Sequence, residues 1–160
     1  MKLPQSISRI AEHLAELPSI GPRQAIRLAF HLVSRGKNSI RTLAEEIAGL
    51  EAIKLCERCF FIHQNPDSIC DICRNPGRRK DIIMIVEKET DLISLENTTK
   101  FNGRYFILGN VSKTGILDDS QKLRLQNLKS FIDKELHGSA EEIILAFNPT
   151  ELLAIPRQFG

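Results

Sequence analysis

Apolar positions recur at helical spacing through residues 5–50. Ile7, Ile10, Leu14 and Leu17 are spaced to share one face of a helix. The run Leu17-Pro18-Ser19-Ile20-Gly21-Pro22 interrupts that pattern with two prolines and a glycine. Pro22 suits a first helical turn, and the second helix it opens carries Ile26, Ala29, Phe30 and Val33 to about Ser34, with Gly36 as its stop. Ile40, Leu43, Ile47 and Leu50 share the face of a third helix, capped by Asn38 or Ser39. Residues 53–80 lose this periodicity and read as a loop-rich segment unable to bury a core of its own. From residue 81 the pattern changes again. Ile82–Val86 is wholly apolar, as in a strand covered on both faces. A helix over 90–98, a strand over 104–108, an amphipathic helix over 123–136 and a third buried strand over 143–147 follow. Strands alternating with helices imply right-handed crossovers and a mostly parallel sheet. The chain is therefore read as α+β in three parts: a helical region 1–52, a loop-rich module 53–80 and an α/β region 81–160.

Composition adds little, but the distribution of charge adds more. The 160 residues carry a net charge of +2, with 42% hydrophobic and 26% charged residues, as in globular domains. No run approaches the roughly 20 apolar residues of a membrane span, and the N-terminal MKLPQSISRI has no signal-peptide core. A cytoplasmic protein without membrane association is expected. Residues 1–41 hold seven Lys/Arg against two acids, whereas residues 81–160 hold nine against twelve. The basic front suggests a surface facing an anion; random drift of surface charge is the competing explanation.

Cys56, Cys59, Cys70 and Cys73 form two Cys-x2-Cys pairs separated by ten residues. Each pair makes a tight turn that points two thiolates at one metal, and two turns complete a closed tetrahedral site of the structural kind. One structural zinc is expected. Two disulfides would need an oxidising compartment, and a redox site gives no reason for a second pair. Iron also accepts four thiolates. His63, inside the loop, is read as a surface histidine and not as a ligand.

Residues 17–30 have a helix-hairpin-helix pattern, whose hairpin amides and second-helix N-terminus suit a backbone phosphate. Gly21 lies in the hairpin, and Arg23 and Arg27, four residues apart, fall on one helical face. They can straddle neighbouring phosphates without reading bases. Such contact is independent of sequence and sensitive to salt. The alternative is a plain helical hairpin with solvated arginines. Glu87 follows the apolar run at a strand end, where ligands gather in open α/β sheets. Magnesium chemistry needs several converging carboxylates, and no Asp-x-Asp occurs in the chain. Glu87 is accordingly read as structural, or as a vestige of a metal site.

Taken in order, LPSIGPRQAIRLAFHL, CERC…CDICRNPGRR, VEKETDLISLENTTKFNGRYFILGN and EIILAFNPT resemble the bacterial RecR family of recombination mediators, from about residue 5 to residue 150. The resemblance implies that residues 81–160 contain a Toprim-like domain serving partner binding, with Glu87 as its non-catalytic glutamate. It also implies zinc on the four cysteines, DNA contact at Gly21, Arg23 and Arg27, and dimers or rings around DNA. The implied role is non-enzymatic mediation of recombinational DNA repair, with RecO- and RecF-type partners, loading recombinase at gaps. A Mg-dependent Toprim nuclease or primase-like enzyme is one alternative. A protein–protein adaptor using the hairpin for dimerisation is another. The loop between the cysteine pairs is slightly long for the family. Residues 111–120 lack part of its proline- and glycine-rich loop, and ELLAIPRQFG departs from the expected continuation after Thr150. A truncated domain with an incomplete sheet is therefore expected.

Overall fold

The structure, a computed structural model, describes residues 2–112 and 116–147. It divides into two compact units, Met1–Ala52 and Ile53–Gly160.

The first unit is helical: α1 (Gln5–Ala15), α2 (Pro22–Ser34) and α3 (Lys37–Gly49). Its core is made by small residues. Ile7 and Ala11 of α1 meet Ala25 and Ala29 of α2, with Leu14, Ala15 and Ile20 packed around them. Alanines at the crossing let two helix axes approach closely. The expected apolar faces are only partly the buried ones. Ile10, Leu17, Ile26, Phe30 and Val33 are exposed, and α3 has no buried residue at all. Helical spacing identifies an apolar stripe, but not whether the same chain covers it. The expected cap of α3 is also corrected. Gly36, at φ +86°, stands directly before the helix, so Asn38 and Ser39 lie inside it. A positive φ at this position favours glycine because no Cβ is present to clash.

The second unit opens with the four-cysteine segment, which is more ordered than a loop. Strands β1 (Lys54–Leu55) and β2 (Ile62–His63) pair antiparallel, and a short helix α4 (Asp71–Arg74) begins directly after Cys70. Next come β3 (Ile82–Val86), α5 (Glu89–Glu96), β4 (Arg104–Ile107), α6 (Asp119–Glu135) and β5 (Glu142–Ala146). The last three strands form a parallel sheet in the order β4-β3-β5. β3 is central, and its alternate residues serve two cores. Ile83 and Ile85 face the layer containing Leu128, Leu125 and Phe131 of α6. Met84 and Val86 face Leu92 of α5 together with Phe61 and Ile72 of the cysteine segment. α6 starts earlier than its apolar pattern suggests, because Asp118 and Gln121 form a reciprocal capping box ahead of it.

The strand expected to be buried over 143–147 is instead half-open. In β5, Ile143 is 48% and Leu145 53% exposed. β5 lies at the edge of the described sheet, and an all-apolar run does not distinguish an edge strand from a central one. The Asn-Pro-Thr motif at 148–150 and residues 151–160 lie outside the described residues.

Candidate nucleic-acid interface and metal centre

The hairpin turns sharply at Ser19, whose φ is +65°. Gly21 then precedes α2 in an extended conformation, with no side-chain cap and with Pro at the first helical turn. Pro22 has no N–H, and Ala25 N–H bonds back to Gly21 O at 2.9 Å. The N–H groups of Arg23 and Gln24 are thus left without an intrahelical acceptor at the positive end of the helix dipole. Gly21, Pro22, Arg23, Gln24 and Arg27 line one open depression there. The structure brings the three residues expected to contact DNA, Gly21, Arg23 and Arg27, to one place. Every ion pair among the described residues lies in the second unit, beginning at Arg58. The basic residues of 1–41 therefore have no ion-pair partner among the described residues.

The four cysteines converge as their spacing suggests. Their sulfurs all lie within 4.8 Å of one another and all four residues are buried. Local backbone bonds fold the two turns: Phe60 N–H to Cys56 O at 2.9 Å and Arg74 N–H to Cys70 O at 3.0 Å. Cys59 and Cys70 Sγ are 3.5 Å apart. A tetrahedron of four thiolates at about 2.3 Å from an ion has edges of about 3.8 Å, so the donor set fits. Without a cation the four thiols oppose one another. Hydrogen bonds from Cys59, then Cys70 and Cys73, hold the Cys56 thiol far below the usual range. Hydrogen bonding to Cys56, with burial adding, pushes Cys59 and Cys73 far above it. Only a bound cation favours ionising all four.

Glu87 is placed at the end of β3 and is 4% exposed. Its Oε1 accepts the Val111 N–H at 3.1 Å, and its backbone carbonyl accepts the Gly109 N–H. The carboxylate is thus tied to the loop after β4. Among the described residues, the four cysteines are the one group of three or more His, Cys, Asp and Glu side chains close enough to share a metal. His63, expected on the surface, is buried; its Nδ1 accepts Asn65 N–H at 3.1 Å, and its Nε2 has no partner among the described residues.

Comparison with known proteins places the chain in a family. The family model described as the RecR helix-hairpin-helix matches residues 7–50, and the Toprim domain model matches residues 81–152. The chain is 37% identical over 145 residues to the Recombination protein RecR of Gloeobacter violaceus, covering 90% of this chain and 71% of that protein. It is 38% identical over 145 residues, with the same coverage of both chains, to the Recombination protein RecR of Rippkaea orientalis. The corresponding protein of Acaryochloris marina is 37% identical over 147 residues, covering 90% of this chain and 70% of that one. The chain belongs to the RecR family. Its α+β architecture of helix-hairpin-helix, four-cysteine cluster and parallel Toprim sheet accords with that membership. No helix among the described residues is long and apolar enough to cross a membrane.

Two features of this RecR-family chain escape a reading of the sequence. Phe60, between the cysteine pairs, joins the turn to the sheet: its ring meets Phe106 edge-on at 5.5 Å and lies 4.9 Å below the Arg124 guanidinium. Ile107 N–H bonds Cys59 O at 2.9 Å beside it. Arg104 is the other, a buried cation on β4. Its one sequence signal is a charge opening an otherwise apolar strand.

Proposed function

We propose that this chain is a non-enzymatic, DNA-binding mediator of recombinational repair. It acts in the cytoplasm with RecO- and RecF-type proteins to load recombinase at DNA gaps. The observation that carries the reading is the depression at the start of α2, where two unpartnered amides, Arg23 and Arg27 face solvent together. A backbone phosphate seated there would accept from the amides of Arg23 and Gln24, with Gly21 allowing close approach. The two guanidinium groups, one helical turn apart, would take adjacent phosphates. Nothing in that arrangement reads a base edge, so binding would be independent of sequence.

The division of labour follows the three segments: 1–52 for DNA, 53–80 for one zinc, and 81–160 as a Toprim-like platform for partners. Zinc on Cys56, Cys59, Cys70 and Cys73 would supply folding energy and leave no position open for a substrate. Glu87, bonded inward to Val111 N–H and without converging acids among the described residues, supports a platform more than a magnesium site. A second reading has its own support. Phe30 and Val33 of α2, and Ile47 and Leu50 in and just after α3, are each 49–63% exposed. Such an apolar surface suits a second copy of the chain, so dimers or rings are part of the proposal.

The test is fluorescence anisotropy with labelled single- and double-stranded DNA on the full chain, paired with light scattering. Binding by the wild type and its loss in Arg23→Ala/Arg27→Ala, at unchanged helicity and oligomeric state, is the expected result. Equal binding by both proteins would refute the DNA assignment. Mg-dependent nicking or primer synthesis abolished by Glu87→Gln would establish the enzymatic alternative instead.

A further inference from the structure

Arg104 opens β4, whose other residues are Tyr105, Phe106 and Ile107, and its side chain is 8% exposed. A guanidinium stays charged in proteins, and a buried charge is costly unless opposite charge and acceptors surround it. The protein neighbours supply little of either. The nearest carboxylate oxygen, Oε2 of Glu135, is 4.0 Å from Nη2, beyond hydrogen-bond reach. Glu135 is shared, because its other oxygen lies 3.6 Å from Arg58. Phe131 presents its ring 4.5 Å from the Arg104 guanidinium, a weak partial compensation. Two guanidinium groups thus face one carboxylate. Water has little room to make up the difference. The cavity that Arg104 lines is about 10 Å³, enough for one molecule at most.

The same cavity is lined by Cys73 and Arg58. A divalent ion on four thiolates leaves two net negative charges, held in a buried place. Arg104 of β4 shares the wall of that cavity with Cys73, and Arg58, which lies between Cys56 and Cys59 in sequence, shares it too. We infer that Arg104 is the counter-cation of the four-cysteine metal centre, offsetting the charge of the thiolate shell and slowing metal loss. Arg58 is the second, more exposed contributor. Glu135 then competes with the thiolates for both arginines. This rests on the reading that the cysteines hold a divalent metal.

The test begins with zinc content of the full-length chain by elemental analysis, followed by the rate of zinc transfer to a chromophoric chelator. One zinc per wild-type chain is expected; less than one overturns the metal reading and this inference with it. With one zinc bound, Arg104→Gln is expected to lose it about ten-fold faster or more, as for other groups placed around a metal's ligands. Arg104→Lys, which keeps the charge, is expected to stay within about three-fold of wild type. Glu135→Gln gives the sharper contrast. It removes the competing acid, so release is expected to be unchanged or slower. If Arg104 were merely the ion-pair partner of Glu135, both uncharged variants would release zinc faster. Wild-type release by Arg104→Gln, or faster release by Glu135→Gln, overturns the inference while leaving the metal reading intact. Should Arg104→Gln fail to fold, the Glu135→Gln and Arg104→Lys rates decide the question by themselves.

Discussion

Removing the ring of Phe60 tests how the cysteine turn is anchored to the sheet. Phe60 is half-buried, packs against both core layers of the sheet, and meets Phe106 edge-on. A fully buried Phe→Ala change costs about 3–5 kcal/mol; half burial scales this to about 2 kcal/mol. Loss of the edge-on ring pair adds about 1 kcal/mol, for an expected total of about 3 kcal/mol. The backbone at Phe60 complicates the choice of replacement, because its φ is +63°. A Cβ in that region costs about 1–2 kcal/mol, which alanine retains and glycine relieves. Phe60→Gly is therefore expected to be about 1 kcal/mol less damaging than Phe60→Ala, the reverse of their usual order. The assay is urea unfolding of the zinc-loaded protein followed by tyrosine emission. The chain has one tyrosine and no tryptophan, and Tyr105 is buried in β4, so the signal reports the second unit alone. A Phe60→Ala loss below about 0.5 kcal/mol, or glycine proving worse than alanine, would refute the anchoring role or the strain at this residue.

Three other outcomes follow from single positions. Ser19 holds φ +65° in the hairpin, so Ser19→Gly is expected to stabilise the helical unit by about 1 kcal/mol, read as a raised urea midpoint of far-UV circular dichroism; a lowered midpoint would contradict it. Burial, then the neighbouring Glu96 carboxylate, push the Tyr105 phenol from 10.0 up to about 12. The folded state thus keeps a proton that the unfolded chain releases, so the contribution of Tyr105 to stability is intact below pH 10 and is lost as pH rises toward 12; tyrosinate absorbance appearing near pH 10 in the folded protein would exclude this. A Cβ at Gly103 would sit 2.6 Å from the Ile82 carbonyl oxygen and 2.5 Å from the Phe101 ring. The backbone contact has no easy relief, so Gly103→Ala is expected to lower stability by about 2–3 kcal/mol in the tyrosine-monitored titration, and a neutral result would show that the two strands can separate there.

Much of this architecture is legible from spacing. The interval between cysteine pairs brings four sulfurs together because each Cys-x2-Cys turn is a local structure, set by a few backbone bonds. The three parallel strands and the hairpin between α1 and α2 are similarly local, or strongly patterned. What spacing did not give depends on distant parts of the chain. Ile10 and Phe30 look like core residues in sequence but are exposed, since alanines make the α1–α2 crossing, and Ile47 lies on α3, which buries none of its residues. Ile143 and Leu145 read as a buried strand, yet β5 has a neighbour on one side alone among the described strands. His63 and Arg104 carry polar side chains into buried places through contacts that no local pattern announces. At the candidate DNA site, residue types and spacing name Arg23 and Arg27. The structure adds that they share one depression with the start of α2 and that, among the described residues, no acidic side chain is paired with them.

The most direct measurement is the salt dependence of DNA affinity. Each phosphate neutralised on duplex DNA contributes about 0.9 to the slope of log K against log salt. If Arg23 and Arg27 each hold one phosphate, the slope for Arg23→Ala/Arg27→Ala is expected to be shallower than wild type by about 1.8, with circular dichroism unchanged. A double variant whose slope matches wild type would contradict the account, because the arginines at the start of α2 would then not be the groups that meet the DNA.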